Sequence, residues 1–149
     1  MDAEVEERRG VRDQRLWLIH PFFVSIGGTL LMAAFATDIM YSQNALMQWS
    51  NASEWLIALG LLFALLSAIG LLIDLAMGHG PISWPDFVLL GVAAILSLVN
   101  VFVHSRDAWT SVVPQGLWLS GVVTVLILIV AIRGWRATKL TLIGDGARS

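Results

Sequence analysis

The residues able to do chemistry in this chain fall at the ends of long apolar runs. His20 opens the run His20 to Met40 and Asp38 closes it. Asp74 closes the run Trp55 to Met77, His79 follows in the turn Gly78 to Trp84, and Asp86 and His104 bracket the run Pro85 to His104, with Asn100 and Arg106 near its end. Imidazoles and carboxylates exchange protons and ligate metals, and a histidine on a helix can hold a haem iron. At about 3.6 residues per turn and 1.5 Å rise, the eighteen residues between His20 and Asp38 put both on one helical face roughly 27 Å apart, near the thickness of a bilayer core. Asp86 and His104 share the same interval.

That spacing limits the cofactors. His20 and His104 lie at opposite ends of antiparallel spans, whereas the two axial nitrogens of one haem must be about 4 Å apart, twice a metal–nitrogen bond. His20 with His79 satisfies the geometry, and a single-ligand or intersubunit haem b site stays open as an alternative. No cofactor is predicted, and His20, His79 and His104 are the cofactor-binding candidates. His20, Asp74 and His79 lack the tight spacing of an H-E-x-x-H site, so no metal site is predicted. No nucleotide loop, G-x-S-x-G elbow or dinucleotide fingerprint occurs, and the chain reads as non-enzymatic.

Asp38, Asp74, Asp86, Asn100 and Arg106 are polar residues of a seam between helices. Gly27, Leu31 and Ala34 lie near the His20–Asp38 face, Gly60, Ser67 and Gly70 share a face with Asp74, and Ala93 lies on the line from Asp86 to Asn100. Small residues let helices approach closely in lipid. One reading of these stripes is close packing with polar ends reaching the interface; the other is a lined path in which Asp38, Asp74 and His104 exchange protons.

The elements that position these residues follow from composition. In 149 residues, 57% are hydrophobic and 13% charged, and cysteine is absent. That profile belongs to a polytopic membrane protein and excludes disulfides, thiolate-held clusters and a basic nucleic-acid groove. The expected fold is an all-α, integral membrane four-helix bundle. Spans are expected at about 17–40, 55–77, 85–104 and 112–132, within a membrane domain at 17–133, between a polar N-terminal tail (1–16) and a polar C-terminal tail (134–149). Ser120, Thr124 and Ala131 share one side of the fourth span. Tyr41 to Ser53 is expected as a loop.

Trp17, Trp49, Trp55, Trp84, Trp109, Trp118 and Trp135 all fall near span ends, as interfacial residues do. Arg8, Arg9, Arg12 and Arg15 precede the first span and Arg133, Arg136, Lys139 and Arg148 follow the fourth, while Arg106 alone lies in an opposite loop. The positive-inside rule then places both termini in the cytoplasm. Ser83-Trp-Pro-Asp86 and Asn51-Ala-Ser-Glu54 read as helix starts, the latter also matching a glycosylation sequon.

His20-Pro21, Asp38, the segment Gly70-Leu-Leu-Ile-Asp74, Asn100, Arg106 and Gly134-Trp135 occur in an order that resembles the bacterial membrane proteins of domain of unknown function 2231, over about residues 19 to 145. Ser25-Ile26 stands where that family often has Phe-Pro, Ala137-Thr138 where Gly-Gly is common, and no histidine occurs near the start of the third span. The resemblance implies a four-helix bacterial inner-membrane protein without an assigned reaction, whose relatives are sometimes joined to redox domains. The resulting expectation is a membrane subunit or anchor in contact with the lipid bilayer, forming a homo-oligomer or binding a membrane-protein partner, with a redox protein among the candidates. The alternatives are a haem b-containing or redox-associated module and a small proton-coupled transporter or channel.

Overall fold

The computed structural model describes residues 19–77, 83–106 and 112–146, with side chains between 22 and 134. It contains four helices: α1 (Ile19–Asn44), α2 (Met47–Ala76), α3 (Trp84–His104) and α4 (Gln115–Gly146). All four are long and apolar enough to cross a membrane, α4 through its segment Gln115–Gly134. Neighbours in sequence are neighbours in space. α1 packs on α2 and α4, α3 packs on α4 and α2, and the diagonal pairs touch little, which makes an antiparallel ring. One end carries the α1–α2 turn and the start of α4; the other carries the start of α3.

The apolar residues divide by face. Leu31, Ala34, Ile57, Ala93, Val123 and Ile127 form the buried core, contributed by all four helices. Leu62, Leu65, Leu72, Ile95, Phe102 and Val125 point outward and are exposed. An apolar exterior around a small core is what a bundle solvated by hydrocarbon requires, because lipid tails cover such side chains at no cost. Trp55, Trp84 and Trp118 point outward at the span ends, where an indole meets the headgroup region.

α1 and α2 approach closely at Gly27 and Gly60. A Cβ on Gly27 would lie 3.1 Å from the Gly60 carbonyl oxygen, and one on Gly60 would lie 2.8 Å from Cγ and Cδ2 of Leu31. The faces containing Gly27, Leu31 and Ala34 and containing Gly60 and Ser67 are the buried ones, as the spacing predicts.

Helix ends differ from the sequence expectation at the α1–α2 link and in α4. α1 runs past Met40 to Asn44 and α2 starts at Met47, so nearly all of the expected loop Tyr41 to Ser53 is helical. The reversal takes place at Ala45 and Leu46. Ala45 adopts φ 54°, its N–H donates to the Tyr41 carbonyl at 2.8 Å, and the Leu46 N–H donates to Asn44 Oδ1 at 3.1 Å. Polar composition pointed to a loop here, but Tyr41, Ser50 and Ser53 are buried against the other helices. Their polarity serves the bundle interior rather than water. Consequently Asn51 to Glu54 lie inside α2; its N-cap is Leu46, which makes no side-chain cap bond.

The expected start at Ser83 is found. Ser83 is the extended N-cap of α3, Pro85 lies in the first turn, and the Phe87 N–H donates to the Ser83 carbonyl at 3.0 Å. Its hydroxyl makes no cap bond. Finally, α4 begins at Gln115 rather than Val112, directly after Pro114, and its backbone stays helical through Gly146, into the polar C-terminal segment. No proline follows Pro114, so nothing in the sequence forces the helix to stop once the apolar segment ends.

Candidate functional site

One buried polar cluster draws on every helix. Asp38 comes from the penultimate turn of α1, Ser53 from the second turn of α2, Asn100 and His104 from successive turns at the end of α3, and Ser120 from the second turn of α4. All five are buried, and Asp38 and Ser53 have no exposed surface at all. The register explains the convergence. Ser50, Ser53, Ile57, Gly60 and Ser67 are the inward face of α2, and Ala93, Ser97, Asn100 and His104 are that of α3, at steps of three, four or seven residues. In an antiparallel ring the end of α1 and the end of α3 lie beside the starts of α2 and α4, so their polar residues fall in one layer near the turn end.

Within that layer the side chains bond to one another. His104 Nε2 lies 3.0 Å from Asp38 Oδ1 and 3.3 Å from Ser53 Oγ. His104 Nδ1 lies 3.0 Å from the Asn100 carbonyl oxygen one turn back. The Ser120 hydroxyl donates to Asp38 Oδ2 at 2.5 Å and accepts from Asn100 Nδ2 at 2.7 Å. The Ser53 hydroxyl donates to the Ala34 carbonyl at 3.4 Å.

These contacts fix the number of protons. The Asn100 carbonyl can only accept, so Nδ1 of His104 carries a hydrogen. The Ser120 and Ser53 hydroxyl protons are directed to Asp38 Oδ2 and to Ala34. Between Asp38 Oδ1 and His104 Nε2 there remain two acceptors that would repel unless one proton sits between them. The pair therefore holds one proton and is neutral as a unit, either as carboxylate and imidazolium or as carboxylic acid and imidazole. A net-neutral, mutually bonded pair is the form in which ionisable groups are tolerated at such depth. Asp38 and His104 also span the ring diagonal, tying α1 to α3 where the helices themselves barely touch.

The arrangement decides how the sequence candidates are used. Asp38, Asn100 and His104 are brought together. Asp86 is elsewhere, its Oδ1 accepting from Arg133 Nε at 2.6 Å in a partly exposed ion pair that joins α3 to α4 at the opposite end. Asp74 sits half-buried near the end of α2, also away from the cluster. Arg106 is exposed and donates from Nη1 to Gln115 Oε1 at 2.9 Å, joining the end of α3 to the start of α4. Thus the seam expected from five polar residues contains Asp38 and Asn100; Asp74, Asp86 and Arg106 fall outside because they project at the ends of the helices or toward the surface. The His20 side chain and all of His79 lie outside the described residues.

Two members of the cluster were not singled out from the sequence. Ser53 falls in the segment whose polar composition reads as a loop; continuing the inward face of α2 back from Gly60 and Ile57 reaches it. Ser120 was placed on a shared face without a role. As a haem ligand, His104 would need a free ring nitrogen, and both are engaged. Among the described residues no group of three or more His, Asp or Glu side chains could hold a metal ion.

No curated protein and no solved structure matches this chain. A family match covers residues 18–144, which takes in three helices whole, all but the last two residues of α4, and every residue of the buried cluster. The chain belongs to the DUF2231 family of predicted membrane proteins.

Proposed function

We propose that this protein is a non-enzymatic subunit or anchor of a bacterial inner membrane, a rigid four-helix platform for a membrane partner or a second copy of itself. The carrying observation is that Asp38, Ser53, Asn100, His104 and Ser120 from all four helices bind one another rather than facing an open site. Mutually bonded polar groups of this kind hold a bundle in one arrangement. The apolar exterior supports contact with lipid along the full length of the spans. Arginine and lysine on both sides of the four-span segment, against Arg106 alone on the other face, support cytoplasmic placement of both termini. Chemical cross-linking in native membranes, followed by sizing in mild detergent, tests the reading. A homo-oligomer or a defined membrane-protein adduct is the expected product, and a strictly monomeric protein that cross-links to nothing would refute it.

A second reading, a small proton-coupled transporter or channel, is favoured by the single proton held between Asp38 and His104. Its test is proton flux in proteoliposomes, which Asp38→Asn would abolish. We propose no resident cofactor, because the described histidine already has both nitrogens bonded; purified protein expressed with ample haem is expected to show no Soret band.

A further inference from the structure

Three buried polar side-chain atoms have no hydrogen-bond partner among the described residues: Trp49 Nε1, Asn100 Oδ1 and Thr124 Oγ1. The last two belong to neighbouring helices: Asn100 of α3 bonds Ser120 of α4, and Thr124 lies one turn further along α4. Asn100 Nδ2 is fixed on Ser120 Oγ at 2.7 Å, and Oδ1 shares its amide carbon, so it lies only about 2.2 Å from Nδ2. Thr124 follows Ser120 by one turn on the same face of α4, about 6 Å along the axis. Reversing the amide does not rescue Oδ1. Ser120 already directs its single hydroxyl proton to Asp38 Oδ2 at 2.5 Å, leaving it only lone pairs to offer, and these suit Nδ2 alone.

Ser97 completes the set. It is buried one turn back from Asn100 on the inward face of α3, and it donates its hydroxyl proton to the Ala93 carbonyl at 2.8 Å. Like Asn100 Oδ1, its oxygen can only accept. Thr124 has a hydroxyl proton with no destination. The region thus presents two acceptors and one donor, none of which satisfies another in the structure.

We propose that one ordered water molecule is bound between α3 and α4, donating to Asn100 Oδ1 and Ser97 Oγ and accepting from the Thr124 hydroxyl. Three hydrogen bonds are the usual complement of a buried water, and the site supplies the two acceptors and the donor that its geometry calls for. The water extends the network from the Asp38–His104 pair inward by one turn, so that polar contacts continue from the turn end of the bundle toward its middle without a break. It satisfies the two orphaned atoms that the packing of α3 on α4 leaves in the interior. This inference is independent of whether the protein is an anchor or a transporter.

The test uses the full chain in lipid. A structure at a resolution that shows ordered water is expected to place a peak within hydrogen-bonding distance of all three oxygens in the wild type and in Thr124→Ser. Thr124→Val, which keeps the shape but removes the hydroxyl, is expected to lose it. Infrared difference spectra between ordinary and heavy-oxygen water supply a second readout: an O–H stretching band that shifts with the isotope in the wild type and disappears in Thr124→Val, with the helical amide band unchanged. The proposal is overturned if the Thr124 hydroxyl bonds directly to Asn100 Oδ1 or to the Ser120 carbonyl with no water present, or if the isotope-sensitive band persists in Thr124→Val.

Discussion

Truncating Asp38 tests whether the diagonal pair holds the bundle together. Asp38→Ala removes the acceptor of two groups at once, the His104 Nε2 proton at 3.0 Å and the Ser120 hydroxyl at 2.5 Å, and leaves both buried. Removing one partner of a buried ion pair typically costs about 3–5 kcal/mol. Asp38→Asn differs, since its Oδ1 can still accept from Ser120 while its amide donates to a neutral His104 through the Nε2 lone pair. Both contacts survive and only the shared proton is lost, so the cost should fall to about 1 kcal/mol, that of exchanging a charged hydrogen bond for a neutral one. The assay is reversible unfolding in mixed micelles titrated with a denaturing detergent, following tryptophan fluorescence, with His104→Ala and the double variant closing a cycle. A coupling of about 0.5–3 kcal/mol between Asp38→Ala and His104→Ala is expected for residues in direct contact. Additive effects, or Asp38→Asn as harmful as Asp38→Ala, would refute the pairing and the one-proton count together.

Other positions give sharper local tests. Gly60→Ala places a methyl 2.8 Å from Leu31 Cγ and Cδ2 and is expected to destabilise by about 1–3 kcal/mol, whereas Gly91→Ala, with nothing within 4 Å, should be neutral or stabilising by up to about 1 kcal/mol; equal effects in the same unfolding assay would contradict the close α1–α2 approach. Ala45→Gly relieves a left-handed alanine at φ 54° and should raise stability by about 0.5–1 kcal/mol after the entropic cost of glycine; a loss on thermal unfolding in detergent would show that this turn is not left-handed. Arg133→Ala breaks the partly exposed pair with Asp86 and should cost no more than about 1 kcal/mol, so a larger fall in midpoint would mean that this end of α3 relies on it more than exposure allows.

The parts of the fold that depend on local composition are legible in the sequence. Four apolar stretches, tryptophans at their ends, the inward stripe of Gly27, Leu31 and Ala34, and the start of α3 at Ser83 all follow from hydropathy, period and capping chemistry. The α1–α2 reversal was not readable, because it turns on an alanine in a left-handed conformation, and alanine carries no signal for that. Polar residues from Tyr41 to Ser53 looked solvent-bound because a sequence does not say whether a serine faces water or a carboxylate. Asp38 and His104 were both visible as residues in need of an explanation at one end of the spans. Their pairing was hidden, since it depends on which helices lie diagonally opposite. Asp86 and Arg133 were hidden in the same way; the arginine served only as a marker of sidedness.

The two-residue link at Ala45 and Leu46 joins α1 and α2 as the arms of one helical hairpin. With so little chain between them, neither arm can shift far along its axis without carrying the other. Asp38 and Ser53, on facing arms close to its tip, are therefore held at a common level, where His104 meets both.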